Sequence, residues 1–251
     1  RAAQSGVYSA LLAKDNFTGI TDVLEAGYGG YLSSYSSKPN ADRLTDGLGS
    51  VWETAKVGYK PHACVTSIHA CLDAFKHLLD IHQLALEDIK RVEVGLSPMT
   101  YTHCAWEYKS QGVTAAQMNL FYSLTVMGID GMAFVAQYDE SRLTDPRILS
   151  FIPRIHAYID REIEAMGPAY RHAARVEIQT QDGRTFKHET LNRRGSPENP
   201  LSQRDVVYKF RNVVDRCLSQ SAIERVISLI ERFEQLPDFA EFLSIIQAKP
   251  H

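Results

Sequence analysis

The 251-residue sequence has few cysteines, no long hydrophobic run and no concentration of charge of one sign. Its longest apolar stretches, such as Met132–Ala136, are far shorter than the roughly 18 residues that a membrane-spanning helix needs. There are 27 basic against 30 acidic residues, a net charge of −3, and no basic cluster of the kind that marks a nucleic-acid binder. No apolar segment typical of a secretory signal follows Arg1–Ser5. We therefore expect a cytoplasmic protein that binds neither membranes nor nucleic acids.

The four cysteines are too few and too scattered for a disulfide framework in a chain of this length. Histidines stand near three of them, but no CxxC or HxxxH pair provides the usual spacing of a zinc site. We predict buried, hydrophobic cysteines and no metal, with zinc as the weakest alternative. The sequence also lacks the GxGxxG and GxxxxGK(S/T) spacings of nucleotide-binding loops and the GxSxG motif of α/β-hydrolases.

Hydrophobic periodicity predicts much of the secondary structure. Apolar residues recur at helical spacing over about Thr66–Ile81, and Arg91–Leu96 alternates in the manner of a half-buried strand. The stretch Thr114–Ala136 is apolar nearly all round, which predicts one long, central helix. We predict a weaker helix over Pro153–Met166 and an irregular segment over Pro98–Gly112.

Two local signals are sharper than periodicity. Asp182-Gly183, between Ala174–Thr180 and Arg184–Glu189, predicts a β-hairpin. After a loop rich in glycine and proline, Ser202 and Asp205 have the spacing of a capping box at the start of a helix. A second helix is predicted to follow it.

The predicted elements run from helices to a mixed block and back to helices. The first segment predicts a helix over Ala2–Ala13 and the start of another over Thr21–Glu25. This order predicts a mostly α protein, in which an all-α helical domain is interrupted by an inserted, smaller α+β domain. We place the helical domain at residues 1–52 and 194–251, and the α+β domain at residues 53–193.

The segment Lys60–His69 combines polar donors with the start of a helix, a natural place for a carboxylate or a phosphate. His69 lies one turn into that helix, and Asp73 follows at i+4, within reach of its imidazole. The plainer interpretations are a packing histidine, a solvated lysine and, for Tyr122, a core tyrosine with one hydroxyl partner. Local reasoning therefore ends at a candidate anion site with a His/Tyr acid–base pair.

Several motifs resemble the MmgE/PrpD family, which includes 2-methylcitrate dehydratase, cis-aconitate decarboxylase and iminodisuccinate epimerase. The resemblance runs in order along nearly the whole chain. The segments that carry it are Arg1–Gly6, Phe17–Gly19, Val23–Glu25, Lys60–Cys64, His69–Ala74, Gln117–Tyr122, Gly195–Ser202 and Lys209–Arg211. Thr102–Trp106, together with Leu48–Trp52, resembles the fungal-type cis-aconitate decarboxylases within the family.

The resemblance implies an all-α domain interrupted by an α+β lid, a homodimer, and cofactor-free chemistry on a small di- or tricarboxylate. The implied reaction is proton transfer next to a carboxylate, in a lyase of the dehydratase or decarboxylase type, with an epimerase as the alternative. It implies catalytic roles for His69 and Tyr122. The expected substrate-binding residues are Lys60, Gln4, Ser67 and His103.

Two positions depart from the family pattern. Many relatives have a His-x-His pair where this chain has Ser67-Ile68-His69, and Gln4 is neutral where some decarboxylases have a cation. Family members are nearly twice this length, and the sequence resembles their second half, so the alternatives are a fragment that lacks an N-terminal half, a split subunit, or a chain whose remainder lies elsewhere. The second hypothesis is a non-catalytic half-chain that binds a carboxylate or completes a complex.

Overall fold

The computed structural model describes residues 1–247 and separates into two compact units, Arg1–Ala55 and the chain from Lys56 onward. The α-helices of the first unit are α1 (Ala2–Lys14) and α2 (Tyr31–Tyr35). The helix predicted over Ala2–Ala13 is thereby confirmed.

The helix predicted to start at Thr21–Glu25 is wrong, because this stretch forms turns. The turns end at Gly30, where a Cβ atom would overlap the Ala26 carbonyl group, and the next helix begins only after this glycine. The sequence shows three glycines here, Gly27, Gly29 and Gly30, but it does not show that the backbone at Gly30 comes close to Ala26.

The second unit contains a four-stranded mixed sheet with the order β2–β1–β3–β4. Its strands are β1 (Ile89–Leu96), β2 (Ile155–Ile159), β3 (Ala174–Thr180) and β4 (Thr185–Thr190). β1 pairs in parallel with β2 and antiparallel with β3, and β3 pairs antiparallel with β4. The strand at Arg91–Leu96 and the hairpin are confirmed; Gly183 supplies the positive φ of 88° that its turn requires.

The described part of the second unit also contains several α-helices. They are α3 (His69–His82), α4 (Pro98–Cys104), α5 (Val113–Met118), α6 (Leu120–Asp130), α7 (Pro146–Phe151), α8 (Arg161–Ala165), α9 (Gln203–Val214), α10 (Gln220–Glu231) and α11 (Ala240–Ile246). A 3₁₀ turn at Thr66–Ile68 leads into α3, so the helix predicted over Thr66–Ile81 is confirmed. α3 packs against β3 and β4 on one side and α6 on the other, and the main hydrophobic core lies around it.

The single helix predicted over Thr114–Ala136 is wrong, because Asn119 separates α5 from α6 and Gly131 ends α6. Asn119 is extended (φ −95°, ψ 125°). Its side-chain oxygen accepts the Tyr122 amide at 3.0 Å, and its Nδ2 donates to the Trp106 carbonyl at 2.7 Å. A buried asparagine that caps a helix stops the helix before it, although hydrophobicity continues through the break.

The weaker helix predicted over Pro153–Met166 is also wrong. This stretch contains β2, whose partner β1 lies more than 55 residues earlier, and then the short helix α8. The segment Pro98–Gly112, predicted to be irregular, begins with α4. Ser97 caps α4 by accepting the Thr100 amide at 3.2 Å, and Pro98 occupies the first turn, where its missing N–H costs nothing.

The capping box at the start of α9 is confirmed. The Ser202 hydroxyl accepts the Asp205 amide at 3.1 Å, and the Asp205 carboxylate accepts the Ser202 amide at 3.1 Å. The structure is thus mostly helical with a small mixed sheet, as the predicted fold class states at that level. Over residues 1–247, no helix is both long and apolar enough to cross a membrane.

Candidate functional site

Backbone hydrogen bonds hold the segment Lys60–His69 in one conformation. The Ala63 amide donates to the Ala133 carbonyl at 2.9 Å, and the Val65 amide donates to the Gln117 carbonyl at 3.0 Å. The Gln117 side chain returns a bond to the Ala63 carbonyl at 2.8 Å. Because both flanks of the segment are bonded to other elements, side chains that project from it have fixed positions.

A cleft of about 440 Å³ lies beside this segment. We call it the lysine cleft; its wall includes Lys60, His62, Gln117, Phe134, Lys209 and Val213. None of the described residues that line it is acidic, so the two ammonium groups are the charged groups in its wall. A cleft of this size, largely apolar with a few fixed polar groups, is suited to a small molecule.

The two lysines bond to backbone carbonyls. Lys60 Nζ donates to the Cys64 carbonyl at 3.4 Å, and Lys209 Nζ donates to the Lys60 carbonyl at 2.8 Å. An ammonium group has three N–H donors, so each lysine retains two for a ligand. Over residues 1–247 neither lysine forms a salt bridge, which leaves both charges available to a bound anion.

A larger cavity of about 700 Å³ shares His62, Phe134 and Lys209 with the lysine cleft. Unlike the cleft, this cavity has acidic residues in its wall, among them Asp73 and Asp205. His62 therefore lies between a cationic space and one of mixed charge.

His62 is held by Asp73. Its Nε2 lies 3.0 Å from Asp73 Oδ1, and the other oxygen of this carboxylate accepts the Arg194 amide at 2.8 Å. The bond predicted between Asp73 and His69 is therefore wrong. His69 starts α3 with its side chain wholly buried, whereas Asp73 reaches the cavity surface on the flank of the helix.

His69 is closed off from solvent. Its Nε2 donates to the Cys64 carbonyl at 3.4 Å, and Nδ1, also buried, has no hydrogen-bond partner within the described chain. Burial, with a smaller contribution from the charge of His62, lowers the pKa of His69 to about 2. His69 is thus a neutral imidazole that meets the His62 ring edge-on, with ring centroids 5.0 Å apart.

Tyr122 is also fully buried. Its hydroxyl donates to the Gln137 carbonyl at 2.8 Å, and burial raises its pKa well above the ordinary value of 10. Neither Tyr122 nor His69 is among the residues that line the lysine cleft or the larger cavity. The catalytic roles of both residues remain predictions. For Tyr122, the geometry agrees with the plainer interpretation, a core tyrosine whose hydroxyl has one partner.

The other predicted substrate contacts are dispersed. Ser67 is buried in the 3₁₀ turn before α3. His103 is exposed near the end of α4, where its carbonyl accepts the Trp106 indole N–H at 3.0 Å. Gln4 is exposed on α1, in the first compact unit. Of the six predicted site residues, Lys60 is the one that lines the lysine cleft, and the roles of the others remain predictions.

Three cysteines are buried as expected, but Cys217 is exposed, which corrects the prediction for that residue. Burial raises the pKa of the Cys64 thiol to about 12 and that of Cys104 to about 11. Both thiols are therefore protonated at neutral pH, and zinc binds the thiolate. Within residues 1–247, no three histidine, cysteine or acidic side chains are placed to hold a metal ion together.

The sequence alone does not single out His62 or Lys209 as candidate site residues. His62 stands in the segment Lys60–His69 and is one of the histidines near a cysteine. Lys209 belongs to the Lys209–Arg211 motif of the family resemblance, yet nothing local indicates that α9 brings it to Lys60. The available signal for His62 was an imidazole adjacent to a lysine at an expected anion site.

Gly195 permits the close packing that fixes Tyr59 and Lys60. It has a φ of 85°, its carbonyl accepts the Tyr59 amide at 2.7 Å, and a Cβ atom on it would overlap the Tyr59 carbonyl oxygen.

We expect Gly195→Ala to lower the free energy of unfolding in urea by about 1–3 kcal/mol more than Gly183→Ala does, because of overpacking. Gly183 is the matched control, since its φ is 88° and nothing lies near its missing Cβ. Equal losses in the two variants would contradict the close approach.

The comparison with protein families decides the assignment. The MmgE/PrpD C-terminal domain matches residues 62–235. The chain belongs to the MmgE/PrpD family. The resemblance drawn from the motifs is thereby confirmed, and the matched range contains His62, Asp73 and Lys209.

Curated relatives are about a quarter identical to the chain over the aligned region. The cis-aconitate decarboxylase-like protein oryM of Aspergillus oryzae is 25% identical over 265 residues, which cover 99% of this chain and 54% of that protein. The cis-aconitate decarboxylase of Aspergillus terreus is 24% identical, over 98% of this chain and 53% of the relative. The human cis-aconitate decarboxylase is 25% identical, over 98% and 51%. The chain thus spans about half the length of the curated relatives it matches.

Proposed function

We propose that this MmgE/PrpD chain forms the carboxylate-binding part of a lyase that acts on a small di- or tricarboxylate by proton transfer next to a carboxylate. The observation that carries the proposal is the lysine cleft, whose described lining residues include Lys60 and Lys209 and no acidic side chain. Among the family's reactions we favour decarboxylation of the cis-aconitate type over dehydration or epimerisation, because the matched relatives are named for it.

The charges of the cleft suit this chemistry. Removal of a proton or of CO₂ next to a carboxylate places additional negative charge on the substrate, and fixed cations stabilise that charge in a largely apolar site. Lys60 and Lys209 are bonded to the backbone, so they need little reorganisation as the charge develops. The family resemblance is the support for a reaction that needs no cofactor.

Two further parts of the proposal rest on the resemblance. We propose that the α+β part, residues 53–193, is a lid inserted into an all-α domain formed by residues 1–52 and 194–251. We also propose that the protein acts as a homodimer. Sedimentation velocity would measure the mass directly, and a monomer at micromolar concentration would contradict the second part.

Turnover of a carboxylate panel tests the function. The chain would be incubated in D₂O with cis-aconitate, citrate, 2-methylcitrate and iminodisuccinate, and each ligand followed by proton NMR. Calorimetry would measure binding of the same four compounds. We expect all four to compete for one site and cis-aconitate to lose CO₂. Binding without turnover would support the second candidate, a carboxylate-binding half-chain, which the burial of His69 and Tyr122 favours. Absence of binding by all four would overturn the proposal.

A further inference from the structure

The acid–base pair implied by the family resemblance, His69 and Tyr122, is buried away from both cavities, whereas a different histidine lines the lysine cleft. His62 is part of the cleft wall together with Lys60 and Lys209, the two cations expected to bind the substrate carboxylates. We propose that His62, held in place by Asp73, is the residue that exchanges a proton with the bound carboxylate substrate. This inference rests on the proposed function and assigns its proton-transfer step to one side chain.

The hydrogen bonds of Asp73 fix the orientation of the His62 ring and determine which of its nitrogens carries the proton. One carboxylate oxygen contacts His62 Nε2 at 3.0 Å, and the other accepts the Arg194 amide at 2.8 Å, so the carboxylate cannot rotate without losing a bond. A carboxylate on one ring nitrogen selects the tautomer that carries its proton there. Nδ1 is then the nitrogen that can accept a proton from a ligand.

The positions of the two cavities determine where that exchange occurs. Asp73 lines the larger cavity but not the lysine cleft, whereas His62 lines both. The imidazole therefore lies where the two cavities meet, between Asp73 in the larger cavity and Lys60 in the cleft, and Lys209 lines both spaces as well. An acid–base site requires a base, a carboxylate that orients the base, and cations that stabilise the developing charge, all close to one another.

The surroundings of His62 limit competing roles. Its side chain is 12% exposed and that of Asp73 is 15% exposed, so the pair is largely withdrawn from water but still reached from the cavities. The neighbouring ring, His69, stays neutral because burial lowers its pKa to about 2, and it adds no charge beside His62. If the bond between His62 and Asp73 served only to hold the segment Lys60–His69 against α3, His62 would not need to line the cleft.

Proton removal by His62 breaks one bond in the substrate and forms one bond to the imidazole. The C–H bond next to a substrate carboxylate breaks, the proton goes to His62 Nδ1, and the electron pair stays on the substrate as an enediolate whose charge Lys60 and Lys209 offset. In decarboxylation the proton moves in the opposite direction, so His62 must first take up a proton from water on Nδ1. The C–C bond to the leaving CO₂ then breaks, the electron pair stays on the substrate carbon, and the protonated Nδ1 of His62 gives its proton to that carbon, which returns His62 to the neutral form.

The test uses His62→Ala with cis-aconitate as the probe. We expect turnover to fall by at least about 100-fold, the usual contribution of a general acid–base residue, while the Kd measured by calorimetry changes little. Added imidazole should restore part of the rate, because it can occupy the space of the missing ring. His156→Ala is the matched control, since this exposed histidine on β2 lines neither cavity, and it should keep the wild-type rate.

A second variant guards against a folding defect. His62→Gln retains an amide that can bond Asp73 but cannot exchange a proton, so it should show the same loss of rate at an unchanged Tm. Wild-type turnover in either variant would overturn the inference and leave the proposed function standing. A loss that imidazole does not restore, with equally weakened binding, would also overturn it. Binding by the wild-type chain without turnover would overturn the inference but not carboxylate binding, whereas no binding at all would overturn both.

Discussion

Replacement of Lys60 or Lys209 by methionine should weaken the binding of cis-aconitate by about 10- to 100-fold in each case. A hydrogen bond to a charged group contributes roughly 1.5–3 kcal/mol, and every 1.4 kcal/mol changes the affinity tenfold. Methionine keeps a similar unbranched side chain while it removes the ammonium group. The affinity would be measured by calorimetry, and the loss should shrink as the salt concentration rises, because salt screens the wild-type attraction.

The control for this loss is Lys187→Met. Lys187 pairs with Glu177 across the β3–β4 hairpin at 2.7 Å and lines neither the lysine cleft nor the larger cavity. Its replacement removes the same charge from the whole protein, so it should leave the affinity unchanged. Lys209→Arg should retain most of the binding if charge is what matters. Equal affinities in the Lys60 and Lys187 variants would contradict carboxylate binding in the cleft.

The elements that could be predicted from the sequence depend on short-range signals. The β3–β4 hairpin is fixed by Asp182-Gly183, the start of α9 by Ser202 and Asp205, and α3 by a regular apolar face. Each signal acts between residues a few positions apart, so its physical effect is legible without knowledge of the rest of the fold.

The elements that were predicted wrongly depend on distant partners. β2 is a strand because β1, far earlier in the chain, offers it a parallel edge. The break at Asn119 exists because the Trp106 carbonyl accepts its side-chain amide and α6 begins at its cap. Hydrophobic periodicity indicates which residues are buried, but it does not show a hydrogen bond that interrupts a helix. A prediction based on it therefore treats α5 and α6 as one helix.

The candidate site divides in the same way. Lys60 could be found because a lysine before a helix start is a local pattern of an anion site. The bond between His62 and Asp73 joins residues 11 positions apart across a turn, and Lys209 comes to the Lys60 carbonyl from 149 positions away. The burial that makes His69 neutral is a property of the assembled core, which no spacing in the sequence contains.

The burial of His69 should make the stability of the protein fall steeply as the pH decreases below about 6.5. The pKa of His69 is lowered to about 2 in the folded protein, against an ordinary value of 6.5. Between these values the unfolded chain binds a proton that the folded chain does not, so acid favours unfolding. One such group lowers the free energy of unfolding by up to about 1.4 kcal/mol per pH unit once the pH is well below 6.5, or by about 2 kcal/mol in total between pH 6.5 and pH 4.5.

His69→Gln isolates this effect, because glutamine can still donate to the Cys64 carbonyl but does not titrate. Urea unfolding between pH 7.5 and pH 4.5 should give the variant a shallower slope than the wild type, with the difference approaching about 1.4 kcal/mol per pH unit at the acid end. Some acid sensitivity should persist, since burial also lowers the pKa values of His172 and His188. His156→Gln, which replaces an exposed histidine, should retain the wild-type slope. If His69→Gln instead retained that slope, His69 would have to bind a proton in the folded protein over this pH range, and the neutral imidazole described above would be wrong.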